Sequence, residues 1–157
     1  SDYWIKDFLQ SELKINSKGI FVIETSPRLG GDFISSTLVP LSTGINMEDI
    51  LIDISVNKSL QQDWDVPQFN NTSGIKYFEL PDGVISDING LENLDNIPGI
   101  QQWHLSLKPG ERVNKITSSL DRYGYAIFQE DTREELEECF ALCKAIADNF
   151  AIQYDRI

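Results

Sequence analysis

Leu13, Ile15, Phe21 and Ile23 alternate with Glu12, Lys14, Val22 and Glu24. This is the period-two pattern of strands that turn one face towards a core. Between the two runs lies Asn16-Ser17-Lys18-Gly19. A glycine in the last loop position suits a three-residue hairpin, whose final residue takes φ > 0. On that count Asn16 pairs with Ile20, and Glu12 stands opposite Glu24. The period then changes. Met47, Ile50, Leu51 and Ile54 form one apolar stripe on a helix expected over 47–57, with Asn46 as its cap and Glu48 and Asp49 in its first turn. A shorter helix is expected over 32–39, stopped by Pro40, and a helical or irregular lead-in over 1–10.

Residues 60–73 are polar, without periodicity, and contain Pro67, which reads as a linker that Trp64 and Phe69 could pin to one side. Beyond it, strands are expected over 76–80, 83–86, 100–107 and 124–129, with a closing strand over 151–154. Pro81-Asp82 and Lys108-Pro109-Gly110-Glu111 supply turns. A short helix is expected over 91–96. The clearest helix follows a Thr132/Glu135 capping box, with Leu136, Cys139, Phe140, Cys143, Ile146, Ala147 and Phe150 at helical spacing. The organisation is therefore a first segment over 1–59, a linker over 60–73, and a second segment over 74–157. The second reads as an α+β domain of four or five mainly antiparallel strands, with two helices on one face.

The 157 residues suffice for one ample core or two small ones, and 41% hydrophobic with 24% charged residues is a globular composition. No apolar run has the length of a membrane span, and Ser1-Asp2-Tyr3-Trp4 does not open a signal peptide. Two cysteines four residues apart on a helix make a poor disulfide, so the cytoplasm is the expected compartment. A formal charge of −12 repels nucleic-acid backbones and anionic membranes, which excludes both as general partners. It leaves Mg²⁺-bound phosphates open.

The hairpin carries the candidate chemistry. Like charges opposed across a ladder destabilise it, so a cation belongs between Glu12 and Glu24, and a divalent ion with hard oxygen ligands is the natural candidate. Ser26, two residues past Glu24, points to the same face and offers a third oxygen. Pro27 ends the ladder. Arg28 brings a planar set of donors suited to phosphate or carboxylate, and Gly30-Gly31 permits a close approach or a sharp turn. The plainer reading is a surface hairpin with two solvated glutamates and a tight turn.

This stretch resembles the metal-binding hairpin of the ATP-grasp superfamily, which includes biotin carboxylases, carbamoyl-phosphate synthetases and amino-acid ligases. The family pattern places a Glu on one strand, a second Glu on the next at the separation of Glu12 and Glu24, then x-Asn-x-Arg. Ser26 stands where Asn is usual, and Arg28 holds the Arg position. The likeness runs on through Asp32-Phe33-Ile34 and Leu41-Ser42-Thr43-Gly44-Ile45-Asn46. It extends more loosely, over 83–85, 98–100 and 118–128, to the C-terminal domain of the amino-acid ligase branch.

The resemblance implies a fold and a site. The fold is the C-terminal part of an ATP-grasp domain over 1–59, followed by a small α+β domain. Glu12, Glu24 and Ser26 would ligate Mg²⁺ or Mn²⁺ bridging the phosphates of ATP, and Arg28 would act catalytically on the transferred phosphoryl group. Arg28, Gly30 and Gly31 would contact the nucleotide or acyl-phosphate. The implied activity is a carboxylate–amine ligase working through an acyl-phosphate. Its partners would be ATP, a small carboxylate, an amine acceptor and a missing N-terminal half; a homodimer is left open.

Only eleven residues precede Glu12, the chain opens at Ser1, and no Walker A loop occurs. The expectation is a fragment, inactive alone. The competing expectation is a non-catalytic α+β module that binds a ligand or partner and whose metal hairpin Ser26 disables. Elsewhere the plainer readings lead. His104 reads as a half-exposed strand residue, Cys139 and Cys143 as buried thiols, and Glu134, Glu135, Glu137 and Glu138 as a solvated helix face. Arg122, after Ser118-Ser119, reads as part of a turn with a surface ion pair.

Overall fold

The computed structural model describes residues 9–60, 62–149 and 151–153, the last three by backbone alone. The expected structure of residues 1–8, Phe150 and Tyr154 lies outside the described residues. The chain divides into two units, Ser1–Asn70 and Asn71–Ile157, each packed mainly within itself.

In the first unit, β1 (Gln10–Asn16) and β2 (Gly19–Ser26) form an antiparallel hairpin. The turn is tighter than the loop count implies. Asn16 pairs with Gly19, Ile15 with Ile20, Lys14 with Phe21 and Leu13 with Val22. Gly19 takes φ of 134°, a conformation glycine adopts freely. The register then shifts beside Glu12 and Leu13, so that Ile23 is the extra residue of a bulge and Glu12 lands opposite Glu24 after all. The expected pair forms, by a different count.

The shift also reassigns the faces. Cross-strand partners share a face, so Leu13, Ile15, Ile20 and Val22 lie together. Phe21 instead joins Lys14 on the carboxylate side. Neither face lies in a core, contrary to the expectation from alternation: all four apolar side chains are exposed, Ile15 to 72%. A two-stranded ribbon has two open faces, and a burying layer has to come from another element.

After the hairpin, a π-helical turn (Ile34–Leu38) runs directly into α1 (Val39–Thr43). Pro40 sits in the first turn of α1, where its missing N–H is not needed, so it starts a helix rather than stopping one. Gly44 closes α1 at φ 78°, its N–H donating to the Pro40 carbonyl at 2.8 Å. α2 (Met47–Ser55) starts as expected, with Asn46 Oδ1 accepting from the Asp49 N–H at 3.2 Å. Its stripe residues Met47, Ile50, Leu51 and Ile54 are half-buried. The chain then folds back. The Gln68 N–H donates to the Thr43 carbonyl at 2.8 Å, and Trp64 and Val66 line a cleft with Asn46 and Ile50.

Among its described residues the second unit holds six strands: β3 (Thr72–Tyr77), β4 (Gly83–Asp87), β5 (Ile100–Leu105), β6 (Arg112–Val113), β7 (Gly124–Glu130) and β8 (Ala151–Gln153). They pair antiparallel in two three-stranded sheets, β3-β7-β5 and β6-β4-β8. The α+β, mainly antiparallel class is what forms, with more strands than expected and two sheets instead of one. The second helix, over Leu91–Asn96, is a 3₁₀ turn, which leaves α3 (Arg133–Ala147) as the α-helix of this unit. β3 begins four residues earlier than its apolar pattern indicates because it pairs with β7 along its whole length, from Thr72 opposite Glu130 to Tyr77 opposite Tyr125.

Phe78, Ile85, Leu94, Val113 and Phe128 meet Leu136, Cys139 and Cys143 of α3 in one core. Thr132 and Glu135 form the expected capping box, each side chain satisfying the other's backbone N–H. Burial first, and for Cys139 the nearby Glu130 carboxylate, pushes both thiols up to about 11. Among the described residues, no helix is long and apolar enough to cross a membrane.

Two outcomes are expected. A Cβ on Gly124 would stand 2.5 Å from the His104 carbonyl and 2.6 Å from the Phe78 ring. Gly124→Ala is therefore expected to cost about 1–3 kcal/mol by overpacking, read as a lower urea midpoint. The thiols, protonated when folded, stabilise the fold below the ordinary thiol pKa of 9.0, and that contribution is lost as the pH rises towards about 11. Urea midpoints across that window should fall, and should fall less in a Cys143→Ala variant.

Candidate functional site

The bulge in the hairpin decides what shares its polar face. Glu12 and Glu24 are directly opposed, and the next pair on that side is Gln10 with Ser26. Ser26 Oγ donates to Glu24 Oε1 at 2.7 Å. Arg28 follows Pro27, and its Nη1 donates to Gln10 Oε1 at 2.8 Å and to the Leu29 carbonyl at 3.1 Å. Gln10 is the residue that sequence reasoning missed. Its signal was present: it lies two positions before Glu12 on the same strand, and alternation alone puts both on one face.

The glycine pair does something different from a sharp turn. Neither Gly30 nor Gly31 has positive φ; the left-handed residues are the next two, Asp32 at φ 50° and Phe33 at φ 66°. Two such non-glycine residues cost about 1–3 kcal/mol each, strain placed immediately after the candidate site. Gly30 is small for a packing reason. A Cβ there would lie 2.8 Å from Ile34 Cγ2. Its N–H donates to Ser35 Oγ at 2.7 Å, and Ser35 is the buried polar residue of this unit, 2% exposed. Gly31 has open space where a Cβ would go.

The donor set suits a hard cation. Two carboxylates and a hydroxyl are all oxygen ligands, and Mg²⁺ typically takes one or two protein carboxylates, completing its shell with water and phosphate oxygens. Among the described residues, no group of three or more His, Cys, Asp or Glu side chains is placed to hold a metal on its own. Glu12, Glu24 and Ser26 could hold such an ion only together with further oxygen ligands. Of the remaining candidates, His104 and the two cysteines follow their plainer readings. His104 is exposed on β5, its ring 6.1 Å from that of Tyr125, and both cysteines are free and buried. Arg122 lies over the Tyr77 ring at 3.8 Å, in contact with an aromatic face.

Residues 76–147 match the family model of the L-amino acid ligase C-terminal domain 2. The L-amino acid ligase from Bacillus licheniformis superposes with a TM-score of 0.71 over 94% of this chain and 38% of its own, at 21% identity. The phosphoribosylglycinamide synthetase from Anaerococcus prevotii gives 0.67 over 94% and 37%, at 15% identity. The fold matches that of the C-terminal part of ATP-grasp ligases. The chain spans less than half the length of either solved relative. No curated protein sequence matches it. The family match falls within the second unit, and the hairpin precedes the matched residues.

Ser35 tests how the glycine pair is held. Ser35→Ala would leave the Gly30 N–H without its acceptor, at an expected cost of about 1–3 kcal/mol, measured as faster hydrogen exchange at the Gly30 amide and a lower unfolding midpoint of this unit.

Proposed function

We propose that this chain is the C-terminal portion of an ATP-dependent carboxylate–amine ligase and that it is inactive alone. The observation that carries the reading is the register placing Glu12 opposite Glu24, with Ser26 bonded to Glu24 and Arg28 anchored on Gln10, all at one end of one hairpin. The family match in the second unit and the fold of the solved relatives support it.

In such a reaction a carboxylate oxygen takes the γ-phosphoryl group from ATP, ADP leaves, and an amine then displaces phosphate from the acyl-phosphate. Glu12, Glu24 and Ser26 would hold Mg²⁺, which when bound neutralises charge on the phosphates. Arg28 would offer its guanidinium to the phosphoryl or carboxylate oxygens. Its bond to Gln10 limits the rotamers it must lose on doing so, which lowers the entropic cost of engaging the ligand. Gly31, open where a side chain would stand, lets a substrate come close to the backbone. Gly30 acts through its bond to Ser35, which shapes the turn. The ATP, the carboxylate, the amine and the remaining half of the nucleotide site belong to the longer protein.

Amide spectra of this chain titrated with Mn²⁺ test the reading. Broadening is expected at Glu12, Glu24 and Ser26, and Glu24→Gln should weaken it about tenfold, the loss of one charged ligand. The chain alone should not turn over ATP. ATP turnover by the isolated chain, or Mn²⁺ broadening elsewhere that is indifferent to Glu24→Gln, overturns the proposal in favour of a non-catalytic binding module.

A further inference from the structure

The sequence contains a single Asn-Gly step, Asn89-Gly90, in the connection between β4 and the 3₁₀ turn Leu91–Asn96. We infer that Asn89 is a self-modifying site, which loses its side-chain amide to attack by the Gly90 backbone nitrogen and becomes an aspartyl or isoaspartyl residue. The ligase reading does not use this loop, and the inference does not rest on that reading.

The chemistry needs only these two residues and water. The Gly90 nitrogen gives its proton to solvent base and forms a bond to Asn89 Cγ. The Cγ–Nδ2 bond breaks, and Nδ2 takes up a proton and leaves as ammonia. Water then opens the cyclic imide at either carbonyl. Attack at Cγ restores the main chain and leaves a carboxylate on the side chain. Attack at the Asn89 main-chain carbonyl gives isoaspartate, in which the chain runs through the former side chain. Nothing is oxidised or reduced.

The folded chain keeps both reacting groups available. Among the described residues the Gly90 N–H donates to no acceptor, while the Gly90 carbonyl accepts from the Asn93 N–H at 3.0 Å. Asn89 is exposed and lies outside strand and helix. Its Nδ2 donates to Asp87 Oδ2 at 3.1 Å, a bond between exposed groups that leaves Cγ open to attack. Gly90, at φ 83°, brings no Cβ to crowd the attacked carbon. The nearby asparagines differ. Asn93 and Asn96 are followed by Leu94 and Ile97, whose side chains hinder the same attack, and the Ile97 N–H is already bonded to the Leu94 carbonyl at 3.1 Å.

The consequence follows from the place. The new carboxylate would stand two residues from Asp87, on a chain whose formal charge is already −12. Like charges so close repel. Isoaspartate also lengthens the main chain immediately before the 3₁₀ turn. That turn carries Leu94, fully buried in the core, and Asp95, whose Oδ1 accepts from Trp103 Nε1 at 2.7 Å. Ageing at Asn89 therefore loosens an element on which the core of the second unit packs.

Incubation of the folded chain at mildly alkaline pH, followed by peptide mapping and an isoaspartate assay, tests this. The amide-to-acid mass change is expected at Asn89, with Asn93 and Asn96 at least about tenfold slower. Asn89→Gln keeps an exposed amide but closes a larger ring, and should slow the loss at this position about tenfold or more. The aged chain should unfold at a lower urea midpoint than Asn89→Asp, which gains the charge without the longer main chain. Amide loss at Asn93 or Asn96 as fast as at Asn89, a rate unmoved by Asn89→Gln, or an Asn89 that stays intact until the chain is unfolded in urea overturns the inference. An aged chain as stable as Asn89→Asp overturns the loosening.

Discussion

Two carboxylates facing each other across a hairpin repel. The first unit accepts this arrangement and builds outward from it. A bulge at Ile23 spends one residue of β2 to bring Glu24 level with Glu12. Without it the apolar pairing from Ile15/Ile20 to Leu13/Val22 would continue, and Glu12 would meet Ile23 instead. The opposed pair is thus imposed by the register.

Leu13, Ile15, Ile20 and Val22 form a continuous apolar face that remains exposed. The strands hold their register through the ladder and the turn at Gly19, both of which are local. Their burial is not local and has to come from elsewhere. The second unit is different: β7 lies between β3 and β5, and Phe128 is fully buried and meets Phe140 of α3 edge to face at 5.8 Å. Hydrophobic burial stabilises this half from within, by about 1.5–3 kcal/mol for each fully buried large side chain.

The glycine pair illustrates how position and role can separate. Gly30-Gly31 looks like the site of an unusual backbone, yet the left-handed conformations fall on Asp32 and Phe33. Gly30 is required because Ile34 and Ser35 pack against its α-carbon. Strain therefore sits one step beyond the residues that announce it, where it shapes the entry into the π-helical turn.

Local patterns in the chain determined the elements whose forces are local. The Asn46 cap, the Thr132/Glu135 box, the stripe of α3 and the positive φ of Gly19 each depend on residues within a turn or two, and each formed as read. The pairing of Glu12 with Glu24 was legible too, although by a loop count that a bulge made unnecessary. Gln10 was legible by alternation and overlooked; the capping box of Ser118 and Asp121 was written in their spacing. What only the tertiary structure decided is long-range: which strands share a sheet, that Pro40 begins a helix, that Arg122 rests on Tyr77, and that the alternating face of the hairpin stays open. A period in the sequence says that one face differs from the other. It does not say what will cover it, because burial depends on partners that lie far along the chain or beyond it.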